Sequence, residues 1–273
     1  MPEGHTIHRL AHDLNNAFAP APVRVSSPQG RFAAGAELLN GREFLGAKAW
    51  GKHLFAEFTG ERWLNVHLGL IGYFSVLPRE EGEEIWGQVR LRIENPGWVA
   101  DLRGPYICDV LTPEEVDAIE ARLGPDPLRL DAEEQQAWER IQRSNKTIAE
   151  LLLDQKVLAG VGNVYRAEVL WRHRLSPFTP GKKVKRSSWL TIWNDLVRLM
   201  PLGVATHRIV TIEEEVQEVE ARLAAGEEVD LERRDSAVYK QNGNPCPRCG
   251  SRIRTQVLAG RNLFWCGRCQ RRM

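Results

Sequence analysis

Four cysteines and one chain terminus carry most of the chemistry that this sequence offers. Cys246-Pro-Arg-Cys249 and Cys266-Gly-Arg-Cys269 are two Cys-x-x-Cys pairs with sixteen residues between them, the spacing of a four-thiolate structural zinc site. Each pair suits one tight knuckle, and the intervening segment is long enough for a hairpin that brings the knuckles together. Four thiolates leave no open coordination position, so such a zinc holds structure rather than activating water. A redox dithiol is the competing reading, but it needs one reactive pair rather than two matched ones. Arg252, Arg254 and Arg261 lie between the knuckles with Phe264 and Trp265. Cations beside aromatics suit a phosphate backbone and unstacked bases; the alternative is a ribbon that touches only protein.

At the other end, removal of Met1 ahead of the small Pro2 exposes a secondary amine. An α-amino group titrates near about 8, against about 10.4 for lysine, so roughly a tenth or more of it is unprotonated at neutral pH. Attack by such an amine on the anomeric carbon of a deoxyribose gives an iminium, an electron sink for eliminating the attached phosphates. Glu3 is placed to protonate the sugar ring oxygen and then to shuttle protons. Many ordinary chains begin Met-Pro-Glu, so these residues alone do not separate an enzyme from a structural protein.

The elements that must position these groups follow a two-part pattern. The 273 residues suffice for two ordinary domains, with 42% hydrophobic and 27% charged residues in the globular range. No apolar run approaches the eighteen or so residues of a membrane helix, and the N-terminus lacks the basic flank and apolar stretch of a secretory signal. A cytoplasmic, nucleoid-associated location is expected. The net charge is +1, but residues 240–273 hold eight Lys or Arg and no acid, whereas 213–235 is crowded with carboxylates, so any nucleic-acid footprint is local. Cys108 is left over as a small buried hydrophobe.

Residues 3–18 carry Ile7, Leu10, Ala11, Leu14 and Phe18 at helical spacing and predict an amphipathic helix. Residues 23–110 read as short strands, at 53–58, 63–68, 72–77, 89–93 and 98–102, hence a sandwich. Thr112-Pro113-Glu114-Glu115 opens a helix that Gly124 and Pro125 stop. Helical patterns follow at 132–143, 147–155, 163–173 and 187–200, and 213–232 is either a solvated helix or an acidic loop. The expected class is α+β, multidomain: 1–111 an N-terminal helix plus β-sandwich, 112–239 a helical region, and 240–273 a zinc ribbon.

Four separated segments, in order along the whole chain, resemble the formamidopyrimidine-DNA glycosylase and endonuclease VIII family: Met1-Pro2-Glu3-Gly4, Gly51-Lys52-His53-Leu54, Val161-Gly162-Asn163-Val164-Tyr165, and the ribbon with Gly260-Arg261-Asn262. The resemblance implies a bifunctional enzyme of base excision repair, with Pro2 the Schiff-base nucleophile and Glu3 the proton donor. It makes Lys52 a contact to phosphate and damaged nucleotide. Asn163 becomes a phosphate ligand opening the second helix of a helix-two-turn-helix module, although an Asn there is more often an N-cap. By the same resemblance Arg261 is expected to grip phosphate and assist elimination. His67-Leu68-Gly69-Leu70 resembles the segment that fills the void left by a flipped nucleotide, with Leu70 the wedge; the alternative is a core leucine beside a structural histidine.

The stretch Asp101-Leu102-Arg103-Gly104-Pro105-Tyr106 departs from the Asp-Pro-Arg-Arg-Phe-Gly run of the guanine-oxidation branch, and Thr6 stands where that branch tends to carry glutamate. The resemblance is therefore closer to bacterial endonuclease VIII, which implies oxidised pyrimidines, ring-opened or hydantoin purines and abasic sites as substrates. It leaves Arg103 as a structural residue or a wedge, and the acidic stretch as a helix or a lesion-capping loop. Damaged duplex DNA is the expected partner, zinc the expected metal, a monomer the expected state, and no nucleotide-cofactor motif is present. The rival readings are an 8-oxoguanine-type glycosylase and a non-catalytic zinc-ribbon protein that binds damaged DNA.

Overall fold

A computed structural model describes residues 2–80, 85–229 and 236–271, and the chain divides into one unit ending at Arg122 and a second beginning at Leu123. The first unit starts with α1 (Gly4–Phe18), whose buried Ile7, Leu10, Ala11, Leu14 and Phe18 form the stripe that the spacing predicts. Ten elements follow: β1 (Ala21–Pro22), β2 (Arg24–Ser26), α2 (Ala33–Leu39), β3 (Glu43–Trp50), β4 (His53–Phe58), β5 (Arg62–His67), β6 (Tyr73–Pro78), β7 (Leu91–Glu94), β8 (Trp98–Arg103) and β9 (Ile107–Leu111). They make two antiparallel sheets, ordered β1-β3-β4-β5-β9 and β2-β7-β8-β6. Phe44, Leu54 and Phe58 of one sheet share a core with Leu91, Ala100 and Leu102 of the other and with the apolar stripe of α1.

Polar ties fix the parts of this unit. The Asn15 amide on α1 donates to the Ala47 carbonyl at 2.9 Å and accepts from the Ala47 N–H at 2.6 Å, beside a bulge in β3. Asp101 accepts both arms of Arg92 at 2.7 Å and one arm of Arg103 at 2.9 Å, so the charges buried inside the second sheet are paired. Arg103 also lies over the Trp86 ring at 4.6 Å, which makes it a structural residue rather than a wedge. Cys108 on β9 is buried, and burial pushes its thiol up to about 12. Then comes α3 (Pro113–Glu120), with Pro113 at its first position and a reciprocal capping box between Thr112 and Glu115. It was expected to open the helical region. Instead Glu120 pairs with Lys48 on β3 at 2.7 Å, and the helix closes the first unit.

The second unit contains α4 (Glu134–Gln142), α5 (Ile148–Leu151), α6 (Asn163–Arg172), α7 (Arg186–Thr206) and α8 (Glu213–Ala224), then the hairpin of β10 (Ile253–Leu258) and β11 (Arg261–Cys266). Helix α7 runs six residues past the expected stop at 200, straight through Pro201. The carbonyl that proline leaves without a donor belongs to exposed Val197, where water can replace the lost bond. Residues 213–224 are a helix, which excludes a loop there: Arg198 pairs with Glu213 at 3.1 Å and Glu220 at 2.6 Å, and Arg172 with Glu213 at 2.7 Å. Residues 230–235, the end of the acidic stretch, lie outside the described residues.

The ribbon shares the helices' core instead of forming its own. Leu263 and Trp265 pack with Leu170, Trp189 and Leu199, while Phe264 packs with Trp171 and Val238. At its root, the fully buried Glu168 accepts the N–H groups of Ala237, Val238 and Tyr239 at 2.8 to 2.9 Å. Burial pushes the Glu168 carboxyl up, and those three donors pull against it.

The sulfurs of Cys246, Cys249, Cys266 and Cys269 all lie within 4.8 Å of one another. Cys246 and Cys269 are 3.9 Å apart and Cys249 and Cys266 3.4 Å, near the roughly 3.8 Å that tetrahedral zinc with bonds of about 2.3 Å requires. Without a cation the four thiols cannot ionise together. Hydrogen bonds from Ser251 hold Cys249 down to about 6, while burial and neighbouring thiols push Cys269 up to about 12. The donor set fits one structural zinc. Cys249→Ser should lose the metal and destabilise the second unit by at least about 3 kcal/mol, on the order of 10 °C in Tm. Metal analysis with calorimetry checks this; full zinc content and an unchanged melting curve in the variant would contradict it.

Candidate active site and nucleic-acid interface

Glu3 is the N-cap residue of α1, with φ −122° and ψ −177°, but its carboxylate makes no capping bond to the helix that it opens. It is fully buried, beside a half-buried Pro2. An acid removed from water at a helix start sits in the positive field of the helix terminus, adjacent in the chain to the residue whose amine it would assist.

Lys52 occupies the second corner of the two-residue turn between β3 and β4. Gly51, at φ 61°, takes the first corner, the position that a type II′ turn reserves for glycine. The next residue, His53, pairs across β4 and β5 with His67, and the two rings meet edge to face at 5.1 Å. The His53 Nδ1 lies 3.1 Å from the Asn65 Oδ1. The His67 Nδ1 accepts the Gly69 N–H at 3.1 Å, which leaves Nε2 to carry the proton of the neutral ring. Burial, and then the positive neighbours His53 and Lys52, lower His67 to about 4. Burial also lowers His53.

After β5 the chain turns tightly, with the Gly72 N–H donating to the Leu68 carbonyl at 3.0 Å. A side chain on Gly72 would strike that carbonyl. The turn buries Leu68 and thrusts out its neighbours, so that Leu70 is 53% exposed and Ile71 88%. Leu70 is therefore not a core residue. Tyr106, 79% exposed, joins them: its N–H donates to the His67 carbonyl at 2.8 Å, and its ring stands 5.8 Å from the His67 ring. Leu70, Ile71 and Tyr106 are thus exposed close to a neutral histidine.

In the second unit, Asn163 is not the N-cap of α6. Gly162 is, and Asn163 is the buried first helical residue. Its Nδ2 donates to the Asn262 carbonyl at 2.9 Å, and its Oδ1 accepts from Arg166. Before it, the Gln155 amide shapes the loop by bonding Val161 and Gly160. Arg261 is exposed at the start of β11, just after the turn residues Ala259 and Gly260, both at positive φ as a type I′ hairpin requires. Phe264 and Trp265, whose composition suggested stacking on bases, face inward: Phe264 meets Tyr239 at 5.4 Å and Trp265 meets Phe178 at 5.1 Å. The exposed members of the expected set are Arg252, Arg254 and Arg261.

The structure thus groups Lys52, His67 and Leu70 in the first unit, Asn163 and Arg261 in the second, and the four cysteines at one point. It adds His53, Ile71, Tyr106 and Arg166. Arg166 had a sequence signal in standing three residues beyond Asn163 on one helix face, and His53 and Tyr106 lie in segments already singled out; the exposure of Ile71 depends on turn geometry.

Comparison with known proteins accounts for the arrangement. Residues 1–105 match the formamidopyrimidine-DNA glycosylase N-terminal domain, 123–214 the formamidopyrimidine-DNA glycosylase H2TH domain, and 243–272 a zinc finger found in FPG and IleRS. The chain is 47% identical to Endonuclease 8 1 of Mycobacterium tuberculosis over 273 residues, covering 99% of this chain and all of the relative. It is 28% identical to Endonuclease 8 of Pectobacterium carotovorum, with 99% and 100% covered. The fold superposes on MutM in complex with carbocyclic 8-oxo-G containing DNA with a TM-score of 0.79 at 21% identity, covering 99% of this chain and all of that one. It superposes equally on Lactococcus lactis Fpg bound to a DNA containing N7-benzyl-Fapy-dG, with a TM-score of 0.79, 20% identity and the same coverage. With its three regions matched in order and full-length relatives on the endonuclease 8 side, this chain belongs to the formamidopyrimidine-DNA glycosylase and endonuclease 8 family of DNA glycosylases.

Proposed function

We propose that the protein removes oxidised bases from duplex DNA, oxidised pyrimidines foremost, and then cuts the strand at the abasic sugar. The carrying observation is Glu3, a fully buried carboxyl group at the start of α1 that directly follows Pro2 and, in its protonated form, can give up a proton. After loss of Met1, the Pro2 nitrogen attacks C1′ of the nucleotide. Glu3 protonates O4′ as the ring opens, the base departs, and an iminium links enzyme to sugar. Loss of a proton from C2′ expels the 3′ phosphate; a second elimination expels the 5′ phosphate, and water releases the sugar fragment.

The other groups serve this chemistry by holding DNA. Lys52 and the Nε2–H of neutral His67 bind phosphate near the reacting nucleotide, while Leu70, with Ile71 and Tyr106, fills the space that a flipped nucleotide vacates. In the second unit the start of α6 at Asn163 favours an anion, and Arg261 grips phosphate. The commitment of Arg103 to Asp101 and Trp86 and the 47% identity to an endonuclease 8 support oxidised pyrimidines over 8-oxoguanine.

Borohydride reduction of the protein mixed with an abasic duplex should trap a covalent adduct. Pro2→Gly, with removal of Met1 verified by mass spectrometry, should lose at least tenfold in trapping rate, and an undiminished adduct would refute the assignment of Pro2. On single-lesion duplexes, an oxidised pyrimidine should be excised faster than 8-oxoguanine opposite cytosine; the reverse order would overturn the lesion class. With His67 lowered to about 4, its ring is neutral across pH 5.5–7.5, so His67→Gln should lower affinity by a constant factor over that range. A protonation limb near pH 6.5 that vanishes in the variant would show that His67 binds as a cation.

A further inference from the structure

Arg166 is a fully buried charge on α6, and no step of the proposed chemistry uses it. Its Nη2 donates to the Asn262 carbonyl at 3.0 Å and also to the Asn163 Oδ1. The Asn163 Nδ2 donates to the same Asn262 carbonyl at 2.9 Å. One backbone oxygen thus takes two donors from one helix, and one of them is a guanidinium, the stronger kind of donor.

The hairpin explains why that oxygen is available. Leu258 and Arg261 flank the two-residue turn and Val257 lies opposite Asn262, so in a type I′ hairpin the second pair is the one without cross-strand hydrogen bonds. The Asn262 carbonyl therefore points away from β10, at the edge of a sheet with only two strands. Such a hairpin is marginal alone, and its tip is the part farthest from the four thiols. Arg261 is the residue next to the oxygen that α6 holds.

We propose that Arg166, together with Asn163, is a positioning residue that clamps the Asn262 carbonyl and thereby fixes where Arg261 meets phosphate during strand cleavage. The inference rests on the reading of Arg261 as a phosphate contact. Both bonds come from one nitrogen, Nη2, whose two hydrogens the planar guanidinium holds toward the carbonyl and the amide oxygen together; a lysine offers a point charge on a flexible stem. A displacement of about 1 Å in such a contact is worth on the order of a hundredfold in rate.

The test is a double-mutant cycle in the full-length, zinc-loaded protein, using an abasic duplex so that base removal is bypassed. Single-turnover strand cleavage, affinity against salt, and hydrogen exchange of the hairpin amides are measured for Arg166→Met, Arg261→Ala and the double variant. Arg261→Ala should flatten the salt dependence of binding by about one unit. Arg166→Met should slow cleavage about tenfold and speed exchange at the hairpin tip while zinc content stays full. In the Arg261→Ala background it should cost less than twofold more, because the residue it positions is gone.

A full tenfold loss in both backgrounds, or no loss in either, would overturn the proposal. Arg166→Lys should restore less than half of the lost rate, and full restoration would also count against a clamp. If Arg261→Ala changes neither salt slope nor rate, the phosphate role of Arg261 fails, and the proposed role of Arg166 in cleavage falls with it. Hydrogen exchange in Arg166→Met still shows separately whether the clamp exists. Should Arg166→Met not retain zinc, Arg166→Gln, which keeps a polar group in the buried site but not the charge, enters the same cycle with the same expectations.

Discussion

A two-stranded ribbon has too little surface to make a core, and the second unit is built around that constraint. Both strands must be held by something outside themselves. The four thiols gather one end around a metal, Leu263 and Trp265 sink into the helices, Glu168 collects three backbone N–H groups at the root, and α6 holds the tip through Asn262. Each of these demands a particular helix residue. The sequence of α6 is accordingly filled by them: Asn163 and Arg166 face the tip, Glu168 the root, Trp171 a cysteine sulfur at 3.3 Å, and Arg172 the ion pairs of α7 and α8.

The first unit solves a different problem. The groups proposed to meet DNA sit on turns and ends, where backbone is free to aim them, and rigidity comes from the sheets beneath. Gly51 sets the corner that presents Lys52, and Gly72 closes the turn that exposes Leu70 and Ile71. The Asn15 amide locks α1 to β3 from both of its polar atoms, so the helix that begins beside Pro2 cannot slide along the sheet.

Local signals were legible in the sequence, and partner-dependent ones were not. The zinc ligands, the stripe of α1 and the Thr112 cap depend on near neighbours in the chain, and each appears where its spacing placed it. Phe264 and Trp265 are neighbours on opposite faces of β11, and both are buried because other elements cover both faces at that end of the strand; composition shows neither cover, so the pair looked available to bases. The expected helix ended at 200, one residue before Pro201, because the solvation of the Val197 carbonyl that lets it continue is a tertiary fact. The acidic run after 213 was ambiguous because Arg172 and Arg198, which neutralise it, come from other helices. Asn163 was correctly placed at a helix start, yet its partner lies 99 residues away.

Cys108 gives the protein a chemical temperament suited to oxidised surroundings. With burial pushing its thiol up to about 12, Cys108 stays a thiol at neutral pH, and the thiolate is the form that peroxides attack. It is the one cysteine outside the metal site; zinc, when bound, engages the other four sulfurs. Of the five sulfurs, the one that the metal does not use is thus held in the form that oxidants attack least.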